Sequence, residues 1–371
     1  MDNVVKITSD ARFRLARSLM TSGGGGGGNS SDNLEKAIDI FASLLEDCRN
    51  RHGETSLNAA LCYFEYGNAL FRAVVRRKPM DGDETTNNDD NESEGDKKPA
   101  AKPGASAASR KRSLDDDNTK ETDDTALSNK KAKTENTDED DNDDTDEDDV
   151  ALALEMLSTS FSIFDWHSTW DDDGTKTAPD EDEKQYSLTQ IPRILCTIGD
   201  IHSYCGKFGN AVDAYCRALP YRENACKERQ EANKGESLSV EGLKCQRLLV
   251  ETYALVAEAL LACKEGEDVV CVDDQEVEEA EEEEEDANNR TATAKKSGKN
   301  KEGKVLVAAK DRIDFAQSHY ETAREKLQDI VYQMGKMAAA KIDLGDEKKD
   351  IGYLVMMLVG VGNSLEPLKT K

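Results

Sequence analysis

Residues 192–221 read PRILCTIGDIHSYCGKFGNAVDAYCRALPY. Leu195, Ile198, Gly199 and His202 fall at i, i+3, i+4 and i+7, the spacing of one helical face. Gly206-Lys207-Phe208-Gly209 then predicts a turn, because two glycines in four residues interrupt the pattern. Ala211, Tyr215 and Ala218 resume at i, i+4 and i+7 on a second helix. A large residue and a small one, an antiparallel turn, then Ala, aromatic, Ala is the tetratricopeptide pattern. Small side chains at Gly199, Ala211 and Ala218 let two helices approach closely, and Tyr215 fills the remaining space.

Partial copies flank this unit. Tyr63, Tyr66, Gly67 and Leu70 repeat the first-helix spacing, as do Tyr253, Val256, Ala257 and Leu260. Ala37, Phe41 and Leu44 repeat the second-helix spacing, after a first helix near residues 12–21. Ala153, Leu157 and Ser160 form another second helix, and so do Ala316, Tyr320 and Ala323. The expected fold is therefore all-α, a tetratricopeptide-repeat solenoid of about four helix pairs. An apolar stretch near residues 351–361 adds a C-terminal capping helix. No β-branched run of strand length stands out.

Two first helices are each followed by an acidic block where the partner helix should begin. Residues 135–149 hold eleven carboxylates and no base: Glu135, Asp138, Glu139, Asp140, Asp141, Asp143, Asp144, Asp146, Glu147, Asp148 and Asp149. Residues 273–286 again hold eleven, ending in Glu281, Glu282, Glu283, Glu284, Glu285 and Asp286. Such blocks self-repel and stay extended. A solenoid tolerates long insertions because loop closure costs grow slowly with length. The expected organisation is repeat one and the first helix of repeat two over 1–79, then an acidic disordered insert over 80–149. The rest of repeat two, repeat three and the first helix of repeat four follow over 150–263. A second acidic and lysine-rich insert covers 264–303, and the last repeat helix with the cap covers 304–371. The run Gly23–Gly28 reads as a flexible loop in the first pair.

The composition bounds the partners. With 49 basic and 77 acidic residues the net charge is −28, which favours basic partners and disfavours nucleic acid and anionic membrane. No apolar run approaches a membrane span of ~20 residues. Nine scattered cysteines, with no CxxC pair, predict free thiols. The four histidines form no metal-spaced cluster, and no phosphate loop or nucleophile elbow is present. No cofactor and no enzymatic activity are expected. Arg110-Lys111-Arg112 and Lys130, Lys131, Lys133 have the spacing of a two-part nuclear import signal, which predicts importin binding and a nuclear location with shuttling. The polar residues expected on first-helix groove faces are Glu65 and Asn68, Asp200, and Glu258. So few bases on those faces argue against an acidic ligand.

The stretch Cys62-Tyr-Phe-Glu-Tyr-Gly-Asn-Ala-Leu-Phe, an acidic interruption, and then Leu152-Ala-Leu-Glu-Met-Leu resembles the nuclear autoantigenic sperm protein family. Gly53-Glu-Thr ahead of the helix is similar too. The resemblance covers residues 10–79, 150–262 and 304–330, and its specific part is the acidic block inside the second repeat. It implies a helical horseshoe that escorts core histones, chiefly the H-three/H-four pair, before nucleosome assembly. The glycine run, a modest first insert and a second acidic insert depart from the family. Extended carboxylates would compete with DNA for a histone's basic face through many weak ion pairs of ~0–1 kcal/mol each. The alternative is a tetratricopeptide co-chaperone or adaptor scaffold that grips peptide tails. A second copy of the chain is a further candidate partner.

Overall fold

The computed structural model describes residues 6–21, 30–77, 142–169, 179–232, 239–264, 269–272, 304–308, 311–345 and 347–368. One compact unit spans residues 1–78 and 143–371. A second, residues 79–142, lies outside the described residues except for Asn142. The import clusters Arg110–Arg112 and Lys130–Lys133, residues 135–141 and residues 281–286 therefore all fall outside the description.

The first unit is built of helices: α1 (Ala11–Thr21), α2 (Ser30–His52), α3 (Leu57–Arg77), α4 (Asn142–Thr169), α5 (Glu181–Tyr204), α6 (Phe208–Ala232), α7 (Val240–Ala262), α8 (Arg312–Ala339) and α9 (Glu347–Leu365). Side-chain pairs fix their directions. Phe13 meets Phe41 edge-on at 5.7 Å between α1 and α2. Cys48 and Cys62 bring their Sγ atoms to 3.7 Å between α2 and α3. Between α3 and α4, His167 Nε2 lies 3.1 Å from the Thr55 carbonyl, Ser160 donates to the Ala60 carbonyl at 2.8 Å, and Arg77 reaches Asp146 at 3.0 Å and Asp149 at 2.7 Å. As α3 is followed forward, its partners on α4 run backward, so the two helices are antiparallel. The connection between them is the segment 78–141.

The small residues sit where the helices come closest. A Cβ on Gly67 would lie 2.9 Å from the Ala153 carbonyl and 3.0 Å from Leu157 Cγ. A Cβ on Gly199 would overlap the Tyr215 ring. Tyr63, Leu70, Leu195, Ala211, Tyr215 and Ala218 are all buried, and Tyr66 and Ile198 half-buried. Apolar residues of α1 to α5, joined by Ala218 of α6, form one core cluster, and other buried apolar residues of α6 to α9 form a second, with Cys196 packed against both.

Three local expectations change. The third pair starts at Glu181, eleven residues before Pro192. Asp180 caps that end by accepting from the Glu183 N–H at 2.7 Å, and three acids follow in the first turn, where the helix dipole favours them. These contacts and the burial of Pro192 outweigh the proline's lost hydrogen bond. The chain also has strands: β1 (Val269–Val272) pairs antiparallel with β2 (Lys304–Val307), Val269 opposite Val307. Both of those valines are buried in the second core. Each strand is only four residues long and lies beside a charged run, which hid it in the pattern. Finally, α4 begins at Asn142 rather than near residue 150, so the tail of the first acidic run is helical.

Candidate functional site

A cavity of about 1080 Å³ opens along the first unit. Its walls are the faces of α3, α5 and α7 that point away from α4, α6 and α8. On α5 these are Arg193, Cys196, Thr197 and Asp200, again at i, i+3, i+4 and i+7 but on a different face from Leu195 and Ile198. α3 supplies Phe64, Asn68, Phe71 and Arg72, and α7 supplies Glu251, Thr252, Leu255 and Glu258. α9 closes one side with Tyr353, Met357 and Val361. Tertiary contacts align these helices. Arg193 sits over the Phe64 ring at 4.9 Å, Phe71 meets Tyr204 at 5.7 Å, and Cys196 Sγ lies 3.9 Å from Thr252 Oγ1. α3, α5 and α7 thus run side by side in one direction, and the cavity is an open groove.

The groove is zwitterionic. Asn68, Asp200 and Glu258 line it as expected, but Glu65 does not. Glu65 is buried beneath it, 3.5 Å from Arg17 Nε and 4.0 Å from Arg193. Three arginines that sequence reasoning missed also line the groove: Arg72, Arg193 and Arg222. The signal for Arg193 was its seven-residue spacing from Asp200. Arg222 comes from α6, whose expected role was only to back the first helices. The scarcity of bases on the groove faces is therefore corrected.

The charges have an order. Arg193 and Asp200 are two turns apart on α5, about 10 Å. α6 runs antiparallel to α5, as Gln185 to Glu228 at 3.3 Å and Tyr215 to Asp200 at 2.8 Å show. That register puts Arg222 level with Arg193, and Tyr215 level with Asp200. Arg193 is fixed by donating to Gln190 Oε1 at 2.5 Å. Burial depresses its pKa, and the neighbouring Arg17 and Arg222 charges add to that. Asp200 accepts from the Tyr215 hydroxyl at 2.8 Å. Its side chain opens on the groove, yet desolvation by the surrounding walls pushes its pKa up to about 6, with help from the Glu251 and Glu258 charges. Burial likewise raises Glu251, against the pull of Arg247.

Of the acidic residues singled out, Asp143 to Asp149 (Asn142 and Thr145 apart) lie on the first turns of α4. Asp146 and Asp149 are held by Arg77, so they close the end of a helix pair rather than stand free. Among the described residues no group of three or more His, Cys, Asp or Glu is placed to hold a metal, and no helix is long and apolar enough to cross a membrane. His167 binds a carbonyl, and His319 packs between Phe315 and Tyr253. No protein-family model matches this chain, and no curated protein matches it. Fold and site together define a helical scaffold whose consecutive antiparallel helices frame a charged groove.

Proposed function

We propose that the protein is a histone chaperone built on interrupted tetratricopeptide repeats. It would shield core histones, chiefly the H-three/H-four pair, from DNA before nucleosome assembly. The observation that carries the reading is where the acidic runs fall. One stretch of eleven carboxylates without a base belongs to the connection between β1 and β2, and the other straddles the end of the connection between α3 and α4, with Glu135 and Asp138, Glu139, Asp140 and Asp141 in it and the other six on the first turns of α4. Connections of that kind can lengthen at small cost while their anchor points stay fixed. The repeat reading is supported by the matching close approaches, Gly67 on Ala153 and Leu157, Gly199 on Tyr215. Importin binding through Arg110–Arg112 and Lys130–Lys133 and a nuclear location belong to the same proposal.

The test is binding of purified histone pairs across a salt series. The intact chain is compared with chains lacking 80–141 and lacking 273–303. These limits spare Asp146, Asp149, β1 and β2. Tight binding that weakens with salt and falls on deletion is expected, because many exposed ion pairs release counterions together. No histone binding at moderate salt overturns the chaperone reading. A second reading, a scaffold that grips peptide tails, draws weight from Arg72, Arg193 and Arg222 in the groove. Histone binding unaffected by either deletion would move the contact to that groove.

A further inference from the structure

Cys48 of α2 and Cys62 of α3 meet inside the first core cluster, with their Sγ atoms 3.7 Å apart. Both side chains are buried. A disulfide bond of about 2.05 Å asks the two sulfurs only to close the remaining gap. The thiols are not equivalent. The hydrogen bond from Cys62 pulls the Cys48 thiol below its ordinary pKa, against burial and the Asp47 and Asp10 charges, and Arg51 assists. The same hydrogen bond pushes Cys62 up, and burial, the Cys48 charge and the Glu65 and Asp10 charges act in the same direction. Cys48 is thus the thiol that ionises, and Cys62 the one that keeps its proton. A route to the pair exists. α2 ends at His52, one turn past Cys48, and residues 51–55 are exposed. Helix ends open locally at little cost, so a small reagent reaches Cys48 when that last turn frays. The pair also stands behind the groove. Cys62 is two residues from Phe64, and α3 presents Phe64, Asn68, Phe71 and Arg72 to the cavity.

We propose that Cys48 and Cys62 are a reversible oxidation site, a dithiol that a hydroperoxide converts into a disulfide linking α2 to α3. The Cys48 thiolate attacks one peroxide oxygen. An S–O bond forms, the O–O bond breaks, and the departing oxygen takes a proton to leave as an alcohol, or as water from hydrogen peroxide. The Cys62 sulfur then attacks the Cys48 sulfenic acid. The S–S bond forms, the S–O bond breaks, and the departing hydroxide takes the Cys62 proton to leave as water. Two thiols are oxidised and one peroxide is reduced, and a dithiol reductant restores both cysteines. A bridge of this kind suits a reducing compartment, where intracellular disulfides are transient and redox-sensing rather than permanent. Once formed, it closes the loop between residues 48 and 62 and locks α3, with its groove face, to α2. The site stands apart from the chaperone reading, since it uses no acidic run and no groove residue.

The reduced full chain is exposed to dilute hydrogen peroxide, its remaining thiols are blocked with N-ethylmaleimide, and its tryptic peptides are mapped by mass spectrometry without reduction. Cleavage after Lys36, Arg49, Arg51 and Arg72 leaves Cys48 alone in peptide 37–49 and Cys62 alone in peptide 52–72. The two peptides are expected joined, at their summed mass less two hydrogens, in most chains by the time the exposed Cys205 has lost its free thiol. Dithiothreitol should separate them. In Cys62→Ser the sulfenic acid at Cys48 has no thiol to meet and should be trapped by dimedone, whereas in Cys48→Ser the Cys62 thiol should stay free. In the oxidised chain, exchange of the α2 and α3 amides that requires unfolding should slow roughly a hundredfold, the worth of closing a loop of this length in the unfolded chain. Three results overturn the inference. Both peptides stay unjoined when Cys205 is consumed, or they join only in urea, or either cysteine pairs with Cys205 as often as with its neighbour. Should a serine variant lose its helical circular dichroism, the peptide map of the native chain decides alone.

Discussion

Replacing Gly199 with Ala separates two opposing effects at one methyl group. In an open helix the change stabilises by about 1 kcal/mol, because alanine is the better helix former. At position 199 the new Cβ would overlap the Tyr215 ring, with Cδ1 at 2.7 Å. The ring cannot give easily. Tyr215 is only 2% exposed, and its hydroxyl is tied to Asp200 at 2.8 Å. Forcing atoms into a packed site costs about 1–3 kcal/mol, and losing the hydroxyl contact adds about 1 kcal/mol. The net expectation is a loss of about 2 kcal/mol. Gly335 supplies the control, since a Cβ there meets nothing within 4 Å on exposed α8. Gly335→Ala should gain up to ~1 kcal/mol. Urea unfolding followed by far-ultraviolet circular dichroism should therefore place the two variants about 3 kcal/mol apart at unchanged m-value. Adding Tyr215→Leu to Gly199→Ala should cost less than the two single losses together, because the ring that clashes is gone. Gly199→Ala as stable as Gly335→Ala would refute the close approach of α5 and α6, and with it the reason for a glycine at this place.

Arg77→Gln should loosen the start of α4 by ~1 kcal/mol, because Arg77 is only partly shielded where it holds Asp146 and Asp149; amide hydrogen exchange over 142–150 should quicken about fivefold, with α5 unchanged. His319 is half-buried between Phe315 and Tyr253, and desolvation there pulls its pKa from 6.5 down to about 4. The unfolded chain takes up this proton as pH falls below 6.5 and the folded chain does not until about 4, so stability is full above pH 6.5 and drains away toward pH 4. Between pH 7 and 4.5 the native chain should lose ~2–3 kcal/mol more than His319→Phe in urea titrations; parallel losses would assign acid sensitivity elsewhere. Arg247 gathers three carboxylates, Glu347 at 2.8 Å, Asp350 at 3.2 Å and Glu251 at 3.2 Å, and is 12% exposed. Arg247→Met leaves them facing one another and should loosen α9 by ~3 kcal/mol; proteolysis within 340–346 should then speed up while α1 to α3 stay protected.

Much of the helical frame was legible because it rests on periodicity and on small residues. Gly67, Gly199, Ala153 and Ala211 mark close approaches, and a close approach constrains a single position tightly enough to be read from one chain. The start of α5 was missed because proline speaks loudly in a pattern, while Asp180 and the acids after it act by capping. The short strands were missed because their four-residue runs carry little periodic signal, and because pairing across 31 intervening residues leaves no local trace. The groove face was half legible. Asn68, Asp200 and Glu258 lie on α3, α5 and α7, whose phase the apolar spacing fixes. Glu65 is one residue from Phe64, so a phase error of a single position moved it from the groove wall into the core. Arg222 had no such guide, since it reaches the groove from a helix behind the wall.

That last omission bears on how charge selects a partner. A net charge of −28 argues against an acidic ligand only if the charge is spread evenly. Here the two runs at 135–149 and 273–286 carry twenty-two of the carboxylates without a base between them, most of the excess. The groove itself balances Arg72, Arg193 and Arg222 against Asp200, Glu251 and Glu258. Those six charges lie within short range of any segment in the cavity, where attraction is set by pairwise distance and low local dielectric. The runs act over a Debye length of ~8–10 Å in physiological salt, and that field decays quickly beyond them. Net charge therefore does not decide what the groove accepts: a segment lying there meets three bases and three acids at short range, whatever the sum over the whole chain.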